Sequence, residues 1–193
     1  MHLEHCKMYH IYNRGINRET IFKHQHHYDY FTLKMQKYLL GHVILMAYCL
    51  MPNHFHWMVY ITEKTNIPSF QRSVGILLRS YALGVNRQLQ RVGSLFQQKT
   101  KAKCLSPHPG DNNRNLNQPL NCFCYIHRNP LISGYVQRLE QWSYSSYTEF
   151  LDTSRDALCD TQFTSEILML PPRTDLPELM TKLPLVNLPL GIS

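Results

Sequence analysis

The chain lacks any hydrophobic stretch long enough to span a membrane. Its longest apolar run, Val43–Met51, is nine residues, against the roughly 20 that a spanning helix needs. The opening Met1-His2-Leu3-Glu4-His5-Cys6 holds no apolar leader, so the expectation is a cytoplasmic protein. No Cys-x-x-Cys pair occurs, and the close pair Cys122-x-Cys124 has no second pair to complete a closed four-ligand zinc site. The six cysteines therefore read as reduced thiols and not as a disulfide framework. Internal repeats and low-complexity tracts are also missing.

Acidic residues are scarce in one part of the chain only. Residues 1–150 hold 17 basic and 7 acidic residues, a net of +10, whereas residues 151–193 hold 3 and 6, a net of −3. The whole carries +7 over 193 residues. A body this basic points to a polyanion, most simply nucleic acid, although a field attracts without identifying its target. The acidic segment also contains Pro171, Pro172, Pro177, Pro184 and Pro189, which exclude a long helix. The boundary is drawn there: a catalytic or binding body at 1–150, and a C-terminal appendage at 151–193 with one short helix near Thr164–Leu170. With 44% apolar residues, wholesale disorder is excluded.

Periodicity predicts the elements. Tyr9–Asn13 is aromatic and β-branched, a first strand closed by Asn13-Arg14-Gly15. A helical spacing of Tyr30, Phe31, Met35, Tyr38 and Leu39 predicts a helix over His26–Leu40. Val43–Leu50 and His54–Thr62 read as strands joined at Met51-Pro52-Asn53, hence a hairpin. Pro68 opens a helix whose stripe is Phe70, Val74, Leu77, Leu78, Tyr81 and Val85. Leu95–Leu105 is a further strand, residues 106–119 a polar loop, and Leu120–His127 a helix meeting Asn129-Pro130 as a stop. The order strand, helix, strand, strand, helix, strand, helix predicts an α+β fold, an antiparallel sheet with helices packed on it in a ferredoxin-like layout.

Three groups of residues carry chemistry. In His54-Phe55-His56, positions i and i+2 of a strand share a face, so two imidazoles stand side by side while Phe55 enters the opposite, apolar face. Such a pair suits a shared metal ion. The chain has 11 histidines, and two solvated rings on an exposed sheet face explain the same pattern. In Tyr125-Ile126-His127-Arg128-Asn129-Pro130, a helix puts Tyr125 and Asn129 on one face, a phenol nucleophile beside an amide oxygen. A half-buried ring near a helix end, with Asn as a stop, is the structural alternative. Lys99, Lys101 and Lys103 alternate along one face of a strand, and Arg72 and Arg79 lie on one side of a helix, surfaces able to track phosphates or simply to be solvated.

Taken together, these segments resemble a known family. Ala47-Tyr48-Cys49-Leu50-Met51-Pro52-Asn53-His54-Phe55-His56 resembles the HUH segment of single-tyrosine transposases. Tyr125–Pro130 resembles the tyrosine motif of the REP-associated branch. Tyr9–Gly15 with Ile21-Phe22, Gly93–Gln97 and Trp142–Ser146 look like further landmarks, so the resemblance spans roughly residues 8–150.

The resemblance implies a DNA transposase that cuts and rejoins single-stranded DNA. Tyr125 would be the nucleophile, forming a 5′-phosphotyrosine and releasing a 3′ hydroxyl. His54, His56 and Asn129 would hold a divalent metal, Mg²⁺ or Mn²⁺, with His127 as the fallback for the third ligand. The metal and the basic surroundings would favour the phenolate of a Tyr whose ordinary pKa is about 10. Arg14 in the opening segment and Arg128 in the tyrosine segment join Arg72, Arg79, Lys99, Lys101 and Lys103 as expected DNA contacts. The implied partner is single-stranded or hairpin DNA, with no membrane partner, in a bacterial-type cytoplasm and at the nucleoid while acting. Both homodimers and monomers occur among such proteins.

Competing readings are an HUH nickase of replication or conjugation, and a non-catalytic nucleic-acid binder or inactive transposase relic. A base-stacking RNA-binding sheet is disfavoured because the strands lack its Gly-Phe-Gly/Ala-Phe pattern.

Overall fold

The computed structural model describes residues 1–106, 117–152 and 157–183. Four strands form one antiparallel sheet in the order β2-β3-β1-β4, where β1 is Lys7–Arg14, β2 Ile44–Met51, β3 His54–Ile61 and β4 Lys101–Cys104. Helix α1 (Gln25–Tyr38) connects β1 to β2, and α2 (Ile67–Gln88) connects β3 to β4. With α3 (Gln118–Ile132) following β4, this is the ferredoxin-like layout expected from the element order.

Alternation divides the sheet into two unlike faces. Phe55, Trp57, Val59 and Ile61 of β3, with Tyr9 and Ile11 of β1, form the main apolar core. Phe31 of α1 packs its ring on Phe55, Trp57 and Tyr81, which places α1 and α2 on this face. The opposite face carries His54 and His56 of β3 with His10, Tyr12 and Arg14 of β1, because Tyr12 stands opposite His56 and Arg14 opposite His54. Helix α3 covers this second face, packing on β2 and β3.

The long helix obeys its pattern closely. All six residues of the predicted stripe are buried, and no other residue of α2 is. Asn66 caps it, accepting a hydrogen bond from the Ser69 N–H at 2.9 Å, and Pro68 occupies the first turn, where a missing N–H costs nothing. Gly15 ends β1 under a tighter constraint: a Cβ there would collide with the Glu19 carbonyl oxygen.

Three expectations need correction. The strand predicted over 95–105 shrinks to Lys101–Cys104. Leu95 and Phe96 are buried, and Phe96 still bridges Gly15 antiparallel, with Ile16 N–H donating to Leu95 O and Gln97 N–H to Arg14 O; between this bridge and β4, Asn13 Nδ2 holds the segment by donating to Gln97 O and Thr100 Oγ1. The helix predicted to stop at Asn129-Pro130 runs through it to Ile132. Burial of Asn129 and Pro130 against the sheet overrides the local preference, and Ser133 N–H donates to Asn129 O beyond the proline.

The third correction concerns the acidic segment. It contains two short helices, α5 (Thr161–Leu168) and α6 (Leu176–Lys182), after α4 (Tyr147–Leu151). Helix α5 docks on β2 through Asp160 N–H to Leu45 O and Thr164 Oγ1 to Met46 O, and Phe163 meets the Tyr60 ring. Pro184, Pro189 and most of the expected 106–119 loop lie outside the described residues. All six cysteines are free, and among the described residues no helix is long and apolar enough to cross a membrane.

Candidate active site

The site lies between the second sheet face and α3. Period two puts His54 and His56 on one side of β3, with ring centroids 4.8 Å apart and nearly perpendicular. Period 3.6 puts Tyr125 and Asn129 one turn apart on the sheet-facing side of α3. The Asn129 amide sits at the junction. Its nitrogen lies 3.4 Å from His56 Nε2, and the amide is close enough to His54 and the Tyr125 phenol to bias the ionisation of each. The Tyr125 ring stands edge-on to His56 at 5.5 Å.

Hydrogen bonds decide which imidazole nitrogens are bare. Asn53 Nδ2 donates to Arg18 O, which turns Asn53 Oδ1 toward His54 Nδ1 at 2.6 Å. A carbonyl oxygen only accepts, so His54 carries its proton on Nδ1 and presents a lone pair at Nε2. Burial first, then the Arg14 charge, lowers the His54 pKa to about 4, against a smaller upward pull from the Asn129 hydrogen bond. Burial also holds His56 well below its ordinary value. Both rings are therefore neutral near pH 7, the form that binds metals.

Two imidazole nitrogens and one amide oxygen are a reasonable donor set for a divalent ion with open positions for water and phosphate. Among the described residues no cluster of three or more His, Cys, Asp or Glu has metal-binding geometry, and the Asn129 amide is the further donor beside the two histidines. His127, the fallback for that role, is not in the site. It is buried among Phe123, Tyr147 and Phe150, with Nε2 bonded to Ser146 Oγ at 2.7 Å.

The phenol is less prepared for ionisation than its basic surroundings suggested. Burial raises the Tyr125 pKa, and this outweighs the downward pulls of the Asn129 hydrogen bond and the Arg14 charge. Arg14 brings a positive charge close to the cluster, where it is felt by Tyr125, His54 and His56. Its Nε is buried with no partner among the described residues.

The remaining cations separate by position. Lys101 and Lys103 pair with Tyr12 and His10, so they share the histidine face, and Lys101 Nζ lies 5.8 Å from the Tyr12 ring centre. Lys99 and Lys101, with Tyr12 and Gln71, border a groove of about 820 Å³ that runs from the β4 edge to α2. Arg79 lines the adjoining groove. Arg72 is exposed on α2, behind the other sheet face. Arg128 is engaged elsewhere, donating from Nη1 to Leu183 O at 2.7 Å.

Two further residues of the site, Asn53 and His10, lie in the segments that carry the resemblance, where Asn53 reads as a turn residue and His10 as a strand residue with no separate role. The alternation of His10, Tyr12 and Arg14 against Tyr9 and Ile11 marks a polar sheet face.

No family model matches the chain, and no curated protein matches it. Among solved structures, the chain is similar to a REP-associated tyrosine transposase bound to a REP hairpin, with a TM-score of 0.56 and 12% sequence identity. The match covers 81% of this chain and 85% of that one. The two share a fold, in agreement with the architecture expected from the sequence.

Proposed function

We propose that this chain is a DNA strand transferase of the single-tyrosine type, cutting and rejoining single-stranded DNA through a 5′-phosphotyrosine. The observation that carries the reading is the meeting of Tyr125 and Asn129 over the His54–His56 pair, four side chains from two elements converging on one point. The fold shared with a hairpin-bound transposase supports it.

Tyr125 Oη attacks a DNA phosphorus. The new O–P bond forms as the bond to the 3′ oxygen breaks, the phenol loses its proton, and the departing 3′ oxygen takes one up. The 5′ side of the break stays on Tyr125. Attack by a 3′ hydroxyl reverses the sequence, so rejoining needs no nucleotide energy. Burial disfavours the phenolate, and Arg14 and Asn129 offset part of that cost as negative charge develops. His54 Nε2, His56 Nε2 and the Asn129 oxygen would hold Mg²⁺ or Mn²⁺, which when bound withdraws charge from a nonbridging phosphate oxygen. Imidazole donors suit Mn²⁺ at least as well as Mg²⁺.

The substrate is single-stranded DNA flanked by a hairpin. Lys101 and Lys103 meet its backbone on the reacting face, and Lys99 and Arg79 continue the basic track into the groove beside α2. Arg72 and Arg128 are not on that track.

The test is a covalent-trapping gel with labelled hairpin DNA from the flanks of the gene, in Mn²⁺, Mg²⁺ or EDTA. A denaturation-resistant adduct is expected with metal. It should be absent in EDTA and in Tyr125→Phe, while the variant binds DNA as tightly as the parent. An adduct that persists in Tyr125→Phe removes Tyr125 from the role. Metal-independent binding with no adduct on any gene-flanking end identifies a binding protein.

A further inference from the structure

His10 is fully buried in β1, stacked between Tyr12 and His56 with ring centroids 4.7 and 5.0 Å away. Its Nε2 lies 2.8 Å from His56 Nδ1. Its Nδ1 is buried with no partner among the described residues. The hydrogen bonding of His10 is therefore directed to a single atom of one candidate metal ligand.

One proton occupies that N···N contact, and its position decides what His56 can do. If it sits on His10 Nε2, then His56 Nδ1 accepts, neutral His56 carries its proton on Nε2, and no lone pair faces Asn129 and His54. If it sits on His56 Nδ1, then His10 accepts at Nε2 and carries its own hydrogen on the buried Nδ1, and His56 Nε2 is bare, aimed at the junction where the other donors meet. The Asn129 amide nitrogen faces His56 Nε2 at 3.4 Å, which suits a bare acceptor there. His54 is held in the corresponding form by Asn53.

We infer that His10 is a positioning residue, accepting the Nδ1–H of His56 and holding it in the tautomer whose Nε2 can bind a metal; this rests on the metal-site reading above. Asn53 and His10 thus do the same job for the two histidines from different elements, a turn and a neighbouring strand. Outer partners of this kind typically change metal affinity by about 10- to 100-fold when removed.

The test compares the full-length parent with His10→Phe and His10→Gln. Phe keeps an aromatic ring against Tyr12 and deletes the acceptor. Gln places an amide oxygen near the position of Nε2. Mn²⁺ binding followed by electron paramagnetic resonance should weaken by about 10- to 100-fold in His10→Phe and largely recover in His10→Gln.

Nitrogen-15 spectra of the metal-free parent should show His56 protonated on Nδ1, and His10→Phe should shift it toward Nε2–H. Parent His56 protonated on Nε2, or His10→Phe binding Mn²⁺ as the parent does, overturns the inference. A His10→Phe chain that fails to fold leaves the parent spectrum and the Gln variant to decide. A parent that binds no Mn²⁺ overturns the metal-site reading instead, and the tautomer spectrum still reports whether His10 sets His56.

Discussion

Tyr125 and Asn129 stand one turn apart on the sheet-facing side of α3, and the Asn129 amide nitrogen lies 3.4 Å from His56 Nε2. In the proposed reaction the same amide would orient Tyr125 and complete the donor set. Asn129→Ala should raise the Mn²⁺ concentration needed for half-maximal adduct formation by about tenfold or more. Asn129→Gln, which keeps an amide oxygen, should recover part of that loss. Unchanged metal dependence in the alanine variant would remove Asn129 from the ligand set.

The two faces of the sheet predict unequal roles for the cations. The double variant Lys101→Ala/Lys103→Ala should flatten the salt dependence of single-strand binding, lowering the slope of log K against log salt by about 1.4. Arg72→Ala, changed on a helix behind the sheet, should leave both slope and affinity as they are. Fluorescence anisotropy titrations at several salt concentrations check both.

Acid should destabilise the fold through its buried histidines. Burial holds His10 and His127 at about 3 and His54 at about 4, whereas histidine in an unfolded chain titrates near 6.5. Between these values the unfolded chain binds more protons than the folded one. The stability due to neutral burial is therefore complete above about pH 6.5 and is lost progressively as pH falls toward 3. Urea midpoints measured in EDTA should fall steadily from pH 6.5 to pH 4; a constant midpoint over that range would contradict the shifts.

Removing the acidic segment should affect stability directly. Truncation after Asp152 deletes the hydrogen bonds to Leu45 O and Met46 O and the Phe163–Tyr60 contact. The buried side chains of Leu168, Leu176 and Met180 go with them, at about 1.5 kcal/mol or more each, so Tm should fall by more than about 8 °C. The newly exposed β2 edge should also promote self-association. Differential scanning calorimetry and light scattering on the truncated chain test both outcomes.

Local patterning carried most of the architecture. The six-residue stripe of α2 and the hairpin around Pro52-Asn53 were legible because each depends on a short window and on burial of one face. The i, i+2 spacing of His54 and His56 likewise places both rings together, because alternation along a strand is a local property. Elements held by distant contacts were harder to read. Residues 95–100 read as one continuous strand, but only Phe96 bridges β1, and Asn13, more than 80 positions earlier, holds Gln97 and Thr100 where the ladder is broken. The passage of α3 through Pro130 depends on packing that no hexapeptide contains. His10 was missed for the same reason, since its significance lies in a bond to a residue 46 positions away.

A sheet that keeps its apolar packing on one side and its polar cluster on the other decouples the frame from the surface. Substitutions at Lys99, Lys101 or Lys103 change the charge of the β4 edge without touching the packing of Phe31 on Phe55 and Trp57. A frame set by the pattern of burial more than by residue identity is one that two chains can share at 12% identity.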